Sequence, residues 1–219
     1  MRILIITAVP FWRGATGADG RIAALTRWLR RQGDARVLYL GRVSALAERS
    51  GDIVPLETPA RWLTAIRRTR RKLGSFFPAR ITSLFDDHLE NRLAARRCCK
   101  RWRPDTVIVE YAHLAGAIHG LRERFPGMRI AVDTHDAMAP RTRRFQEQGI
   151  AVEAPVSEEM EARWLSAFDA IIAIQEEEAV YFRRIAPGIP VLTAGHPQPV
   201  HPLPQPSEPP VTLLFPGSA

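Results

Sequence analysis

Arg2–Val9 reads RILIITAV, and shortly after it Gly14–Gly20 reads GATGADG. The first stretch is apolar, rich in branched side chains and uncharged beyond Arg2. That composition suits a strand buried on both faces of a parallel sheet. The glycines that follow allow a sharp turn. Ile22, Leu25, Trp28 and Leu29 then recur at helical spacing up to Gly33, a residue that commonly closes a helix. Strand, glycine turn and helix together open a β-α-β unit.

The same alternation continues outward. Val37–Leu40 reads as a second strand and Asp52–Leu56 as a third. Two basic helical stretches follow, at about 60–73 and 86–102. Thr106–Glu110 (TVIVE) is a strand, followed by a helix through Leu114, Ile118 and Leu121. Arg129–Asp133 (RIAVD) is a strand. Glu158–Phe168 is a helix, with Ser157 as its N-cap and glutamates in its first turns, where the helix dipole favours them. Ala170–Ile174 is a strand, Glu176–Arg184 a helix and Val191–Ala194 a last short strand. Strands alternating with helices imply right-handed crossovers and a doubly wound, Rossmann-like α/β domain with a parallel sheet. Such sheets bind ligands beyond the carboxyl ends of their strands. Residues 10–20, 110–113, 133–144 and 174–178 are therefore the places to look.

Composition narrows the classes. The chain has 219 residues, with 31 basic and 23 acidic side chains and a net charge of +8. Residues 61–80 hold seven positive charges and no acid, so the rest of the chain is close to neutral. A surface coated for nucleic acid is not expected. Two adjacent cysteines, Cys98 and Cys99, exclude a disulfide scaffold and fit a reduced, cytoplasmic setting. No run of about 18 apolar residues is present to span a membrane. Met1–Trp12 lacks the small-residue cleavage site of a signal peptide and reads as a first strand. Residues 196–210 (HPQPVHPLPQPSEPP) hold seven of the 18 prolines and read as an extended linker. Val211–Phe215 (VTLLF) and Pro216-Gly217-Ser218 then read as the first strand and turn of another α/β domain. The expected organisation is a domain at 1–195, a linker at 196–210, and at 211–219 the start of a second domain that is otherwise missing.

Several segments together resemble the N-terminal domain of GT-B glycosyltransferases of the retaining, family 4-like type. They are the strand–glycine-loop–helix opening, Asp133-Thr134-His135-Asp136, the stretch Asp169–Gln175 with Glu178-Ala179, and the proline linker before VTLLFPGS. The resemblance implies that an acceptor binds on this domain, a nucleotide-sugar binds on a C-terminal domain, and transfer occurs in the cleft between them. It implies no cofactor and no metal, because basic side chains and helix N-termini hold the diphosphate. It also implies front-face transfer, with the leaving diphosphate helping to deprotonate the acceptor. The diphosphate-gripping residues of the second domain are not in this sequence, so the chain alone is not expected to turn over.

Candidate site residues follow from strand ends and from the resemblance. His135 and Asp136 are the catalytic candidates. The resemblance brings a histidine of this region to the donor sugar, and Asp136 is placed to orient the imidazole or bind a hydroxyl; the alternative is a structural histidine and a capping aspartate. Gly14, Gly17, Gly20 and Arg21 form a candidate loop near the donor diphosphate, with a plain strand-to-helix turn as the equal alternative. The G-x-G-x-x-G dinucleotide spacing is absent. Glu110, Tyr111, His113, Arg141, Arg144, Gln175 and Glu178 are acceptor-binding candidates; the arginines also read as a solvated helix face and Glu178 as a dipole partner. Trp62, Arg67, Arg68, Arg71 and Lys72 fit an amphipathic basic helix lying on an anionic membrane, and equally a domain helix with a core stripe. Location on the cytoplasmic face of a membrane would follow from the first of these.

Two functions therefore stand: the acceptor-binding half of a glycosyltransferase acting on a glycan or lipid-linked acceptor, and a non-catalytic module binding a carbohydrate, a lipid head group or a partner protein.

Overall fold

A computed structural model describes residues 1–41, 56–57 and 89–196. The candidate membrane-contact residues and the segments 197–210 and 211–219 lie outside these.

Among the described residues, seven parallel strands form one sheet in the order β3-β2-β1-β4-β5-β6-β7. They are β1 (Arg2–Thr7), β2 (Asp34–Tyr39), β3 (Leu56–Glu57), β4 (Thr106–Glu110), β5 (Arg129–Asp133), β6 (Ala170–Ala173) and β7 (Val191–Thr193). The order reverses beside β1, which opens the crevice of a doubly wound fold between β1 and β4. Helices α1 (Gly17–Gln32), α2 (Leu89–Trp102), α3 (Leu121–Arg124), α4 (Met138–Glu147), α5 (Glu158–Leu165) and α6 (Glu176–Ile185) flank it. Among the described residues no helix is long and apolar enough to cross a membrane.

Alternate strand residues feed two cores. Ile3, Ile5, Val37 and Ile108 pack with Ile22 and Leu29 of α1. Leu4, Ile6, Val107, Val109, Ile130, Val132 and Ile171 pack with Cys98 of α2, Leu121 of α3, Leu165 of α5 and Phe182 of α6. Each fully buried Ile or Leu contributes roughly 1.5–3 kcal/mol relative to exposure. Double-sided burial explains why these strands read as apolar runs without alternation. Cys98 and Cys99 are free and buried, and burial pushes the Cys99 thiol up to about 12.

Four differences from the expected elements have local causes. β1 ends at Thr7, not Val9, because the Val9 amide donates to Thr7 Oγ1 and Phe11–Arg13 then makes a 3-10 turn. The helix expected from Ile22 starts at Gly17, so Gly17 and Gly20 lie in its first turns rather than in a loop. Thr16 Oγ1 accepts from the Asp19 amide while Asp19 Oδ2 accepts from the Ala15 amide, a reciprocal cap. The expected helix through Leu114 and Ile118 is a 3-10 segment, Ala112–Ile118. It stops before Gly120, whose φ of +72° is left-handed. The α5 helix ends at Leu165 rather than Phe168, although its Ser157 cap forms as expected, accepting from the Met160 amide.

Candidate functional site

Glu110 and Asp133 are the last residues of β4 and β5 and stand opposite one another in register. Both side chains are fully buried. Apolar strands that each end in an acid therefore place two carboxylates side by side at the crevice floor.

Arg21 reaches Asp133 from α1. Its Nε donates to Oδ2 at 2.8 Å and its Nη2 to Oδ1 at 2.9 Å, while Nη1 donates to the Gly195 carbonyl at 2.9 Å. Arg21 is itself only 5% exposed. The candidate diphosphate arginine is thus held in a buried ion pair. Gly14 turns with φ of +64°. The Gly17 carbonyl accepts from His196 Nε2 at 2.8 Å, and a Cβ on Gly20 would meet the His196 ring at 3.6 Å. A groove of about 790 Å³ runs between α1 and the 194–196 segment, walled by Leu25, Trp28, Arg31, Ile172 and His196 with Arg21 and Asp133 at its floor.

Glu110 pairs with His135. The distance from Nε2 to Oε2 is 2.6 Å, with the side chains 5% and 0% exposed. Burial pushes the Glu110 carboxyl up to about 7, the hydrogen bond from His135 opposes the rise, and the Asp133 charge adds to it. Glu110 Oε1 is buried and has no hydrogen-bond partner among the described residues. Tyr111 stacks on the imidazole, with ring centroids 4.4 Å apart and planes 14° apart. Tyr111 and His135 have φ of +79° and +60°. Bulky residues adopt such angles only where the surroundings impose them, often at functional sites. The His113 ring lies 5.4 Å from that of Tyr111, and burial pulls its pKa down to about 4, so it is neutral near pH 7.

Asp136 does not orient His135. It pairs instead with Arg141 at 2.7 Å on the exposed side, and Glu110 takes the orienting position. Arg144 is exposed on α4. Gln175 precedes α6 and makes no side-chain cap. Glu178 is buried, and its Oε1 accepts from the Ala137 amide at 3.3 Å. Beside it, Glu161 accepts from the Met138 and Ala139 amides at 2.8 and 3.0 Å and from the Tyr181 hydroxyl at 2.7 Å. The two glutamates fill the N-terminus of α4, the position where a helix attracts an anion. Burial raises both carboxyls.

Glu110, Tyr111, His135 and Arg21 thus converge, and Asp133 joins them from outside the sequence-based set, while Glu161 and Tyr181 hold the start of α4 beside them. Asp133 had a readable signal, an acid closing an apolar strand. Glu161 and Tyr181 had none, since they act across 20 or more residues. Ligand atoms of Glu110, Asp133 and His135 lie within 4.8 Å of one another. The Arg21 guanidinium occupies both Asp133 oxygens, and its charge opposes a cation there.

No family model and no curated protein matches the chain. Solved structures do. Sucrose-phosphate synthase from Thermosynechococcus elongatus matches at 13% identity and a TM-score of 0.57, over 89% of this chain and 48% of its own. The lipopolysaccharide outer core galactosyltransferase WaaB matches at 13% identity and 0.54, over 95% and 50%. The N-terminal domain of Candida albicans trehalose-6-phosphate phosphatase matches at 12% and 0.50, over 89% and 48%. The chain spans about half the length of each of these structures. Its fold is the doubly wound α/β fold of these GT-B-type structures, over the extent expected of one N-terminal domain.

Proposed function

We propose that residues 1–195 form the acceptor-side half of a glycosyltransferase, which takes a sugar from a nucleotide-sugar held by a C-terminal domain. The fold likeness to two sugar-transferring enzymes supports the general reading. The observation that carries it is the Glu110–His135 pair, roofed by Tyr111, at the carboxyl ends of β4 and β5. A buried imidazole beside an aromatic face is suited to a sugar, whose hydroxyls need hydrogen bonds and whose C–H face packs on a ring. The acceptor class is a glycan or a lipid-linked acceptor, and no metal is required in this half. Contact with an anionic membrane through residues 61–80 belongs to the same proposal and rests on the sequence alone.

Saturation-transfer NMR of the chain with a panel of methyl glycosides tests the reading. Binding of a glycoside that is lost in His135→Ala supports it. Tight binding of a nucleotide-sugar to this half alone would contradict the assignment of the donor to the other domain.

A further inference from the structure

We infer that residues 194–196, which follow β7, form a strap clamped against the start of α1, and that Arg21 is the side chain that bolts it down. The path by which the chain leaves the sheet is then fixed by the same guanidinium that fills Asp133 at the crevice floor. The inference goes beyond glycosyl transfer and stands whether or not that reading holds.

Apolar burial does not hold this segment in place. β7 has three residues and lies last in the order of the sheet. Leu192 is 60% exposed, and residues 194–196 are all exposed. An exposed end with few apolar contacts frays unless polar bonds tie it. Three successive residues are tied in this way. The Ala194 amide donates to the Ala173 carbonyl at 2.8 Å, continuing the pairing of β7 with β6. The Gly195 carbonyl accepts from Arg21 Nη1 at 2.9 Å. His196 Nε2 donates to the Gly17 carbonyl at 2.8 Å, a direction that is fixed because a carbonyl only accepts. Gly17 and Arg21 are four residues apart, so the last two anchors come from one side of the first turns of α1.

The anchors are unequal. The Arg21 bond is charge-assisted and comes from a side chain that is buried, whereas the His196 bond is exposed to water. The sheltered, charged bond is the stronger. Asp133 makes it rigid: Nε and Nη2 are taken by the carboxylate, which leaves Nη1 aimed at Gly195. A planar guanidinium makes both contacts at once, and a lysine ammonium, a single point charge, does not. Gly20 completes the seat, because a Cβ there would already touch the His196 ring.

The strap also shapes the groove beside α1, of which residues 194–196 form one wall and Arg21 and Asp133 part of the floor. Asp133 stands in register with Glu110. A pull on the chain beyond His196 therefore reaches Arg21, and through it the floor on which Glu110 sits.

Amide hydrogen exchange and proton NMR of the chain test the clamp. The native protein should show a contact between the His196 ring and the Gly20 α-protons, together with a protected Ala194 amide. In Arg21→Lys, which keeps the charge and loses the fork, the Ala194 amide should exchange on the order of tenfold faster. The ring contact should vanish, while the amides of β1 and β4 stay protected. His196→Ala should quicken the Ala194 amide less than Arg21→Lys does. Absence of the ring contact in the native protein overturns the proposal. So does an Ala194 amide unmoved by Arg21→Lys, or one moved as far by His196→Ala. Where Arg21→Lys exposes β1 and β4 as well, it has unfolded the domain. The double variant Arg21→Met with Asp133→Leu then decides, since it removes the bolt together with its counter-charge; native protection of Ala194 in that variant overturns the proposal.

Discussion

Glu110 and Asp133 occupy equivalent places. They end neighbouring strands, face each other in register and are fully buried. Their partners differ. Asp133 has both oxygens filled by the planar fork of Arg21, a geometry that suits a permanent charge pair. Glu110 has one oxygen on a titratable imidazole and the other empty. A filled carboxylate fixes structure, whereas a half-filled one beside a histidine can take up and release a proton. The same residue class at the same height in the sheet thus does two jobs, decided by which helix or loop delivers the partner.

The sharpest way to break this contrast is to remove Asp133. Asp133→Ala leaves the Arg21 guanidinium buried with only the Gly195 carbonyl, a situation that costs about 3–5 kcal/mol. Urea unfolding measures it. Replacing both partners with apolar residues, Arg21→Met with Asp133→Leu, should recover most of the loss, because the buried charge goes with its partner. A double variant as unstable as the single one would show that the pair contributes more than charge balance.

For Glu110 the expected signature is a dependence on pH rather than a fixed loss. Its carboxyl moves from 4.5 to about 7 on folding. Between those values the folded chain binds more protons than the unfolded one. The stability contributed by the raised pKa is present below pH 4.5 and is lost as pH rises through about 7. The loss should be on the order of 3 kcal/mol. Thermal unfolding at a series of pH values measures it, and Glu110→Gln should flatten the profile. An equally steep profile in the variant would mean that another group titrates.

How much of this was legible in the sequence follows from the range of the interactions. The strands were legible because burial on both faces writes continuous apolar runs, and the Ser157 cap because its partner is three residues away. The α4 helix was not placed as an element. Its N-cap is Ala137, which has no side-chain cap, and Pro140, which the first turn accommodates, reads in sequence as a breaker. The caps come from Glu161 and Glu178, delivered by α5 and α6. The site divides the same way. His135 and Glu110 stood out as polar residues at strand ends. Their pairing depends on the β4–β5 register, and the role of Arg21 depends on α1 crossing toward β5.

Glu161 extends the comparison to a third carboxylate. Three donors fill it, so it belongs with Asp133 as a structural group. Glu161→Ala should cost about 1–2 kcal/mol, through the lost cap and the unpaired donors at the start of α4. Hydrogen exchange of the Met138 and Ala139 amides should quicken with it. Unchanged protection at those amides would show that the caps are dispensable.

The smallest effect is expected where the Arg21–Asp133 chemistry recurs in water. Arg141 and Asp136 pair at 2.7 Å, much as Arg21 and Asp133 do, but Arg141 is half exposed. Water already solvates both charges, and holding two side chains together costs entropy, so such a pair contributes about 0–1 kcal/mol. Arg141→Ala should therefore shift the unfolding midpoint little, and less still at high salt. A loss as large as that of Asp133→Ala would mean that the pair is sequestered in solution and that burial is not what separates the two. A small loss in stability together with weakened glycoside binding would instead place Arg141 at the mouth of the acceptor crevice, where its charge serves the ligand more than the fold.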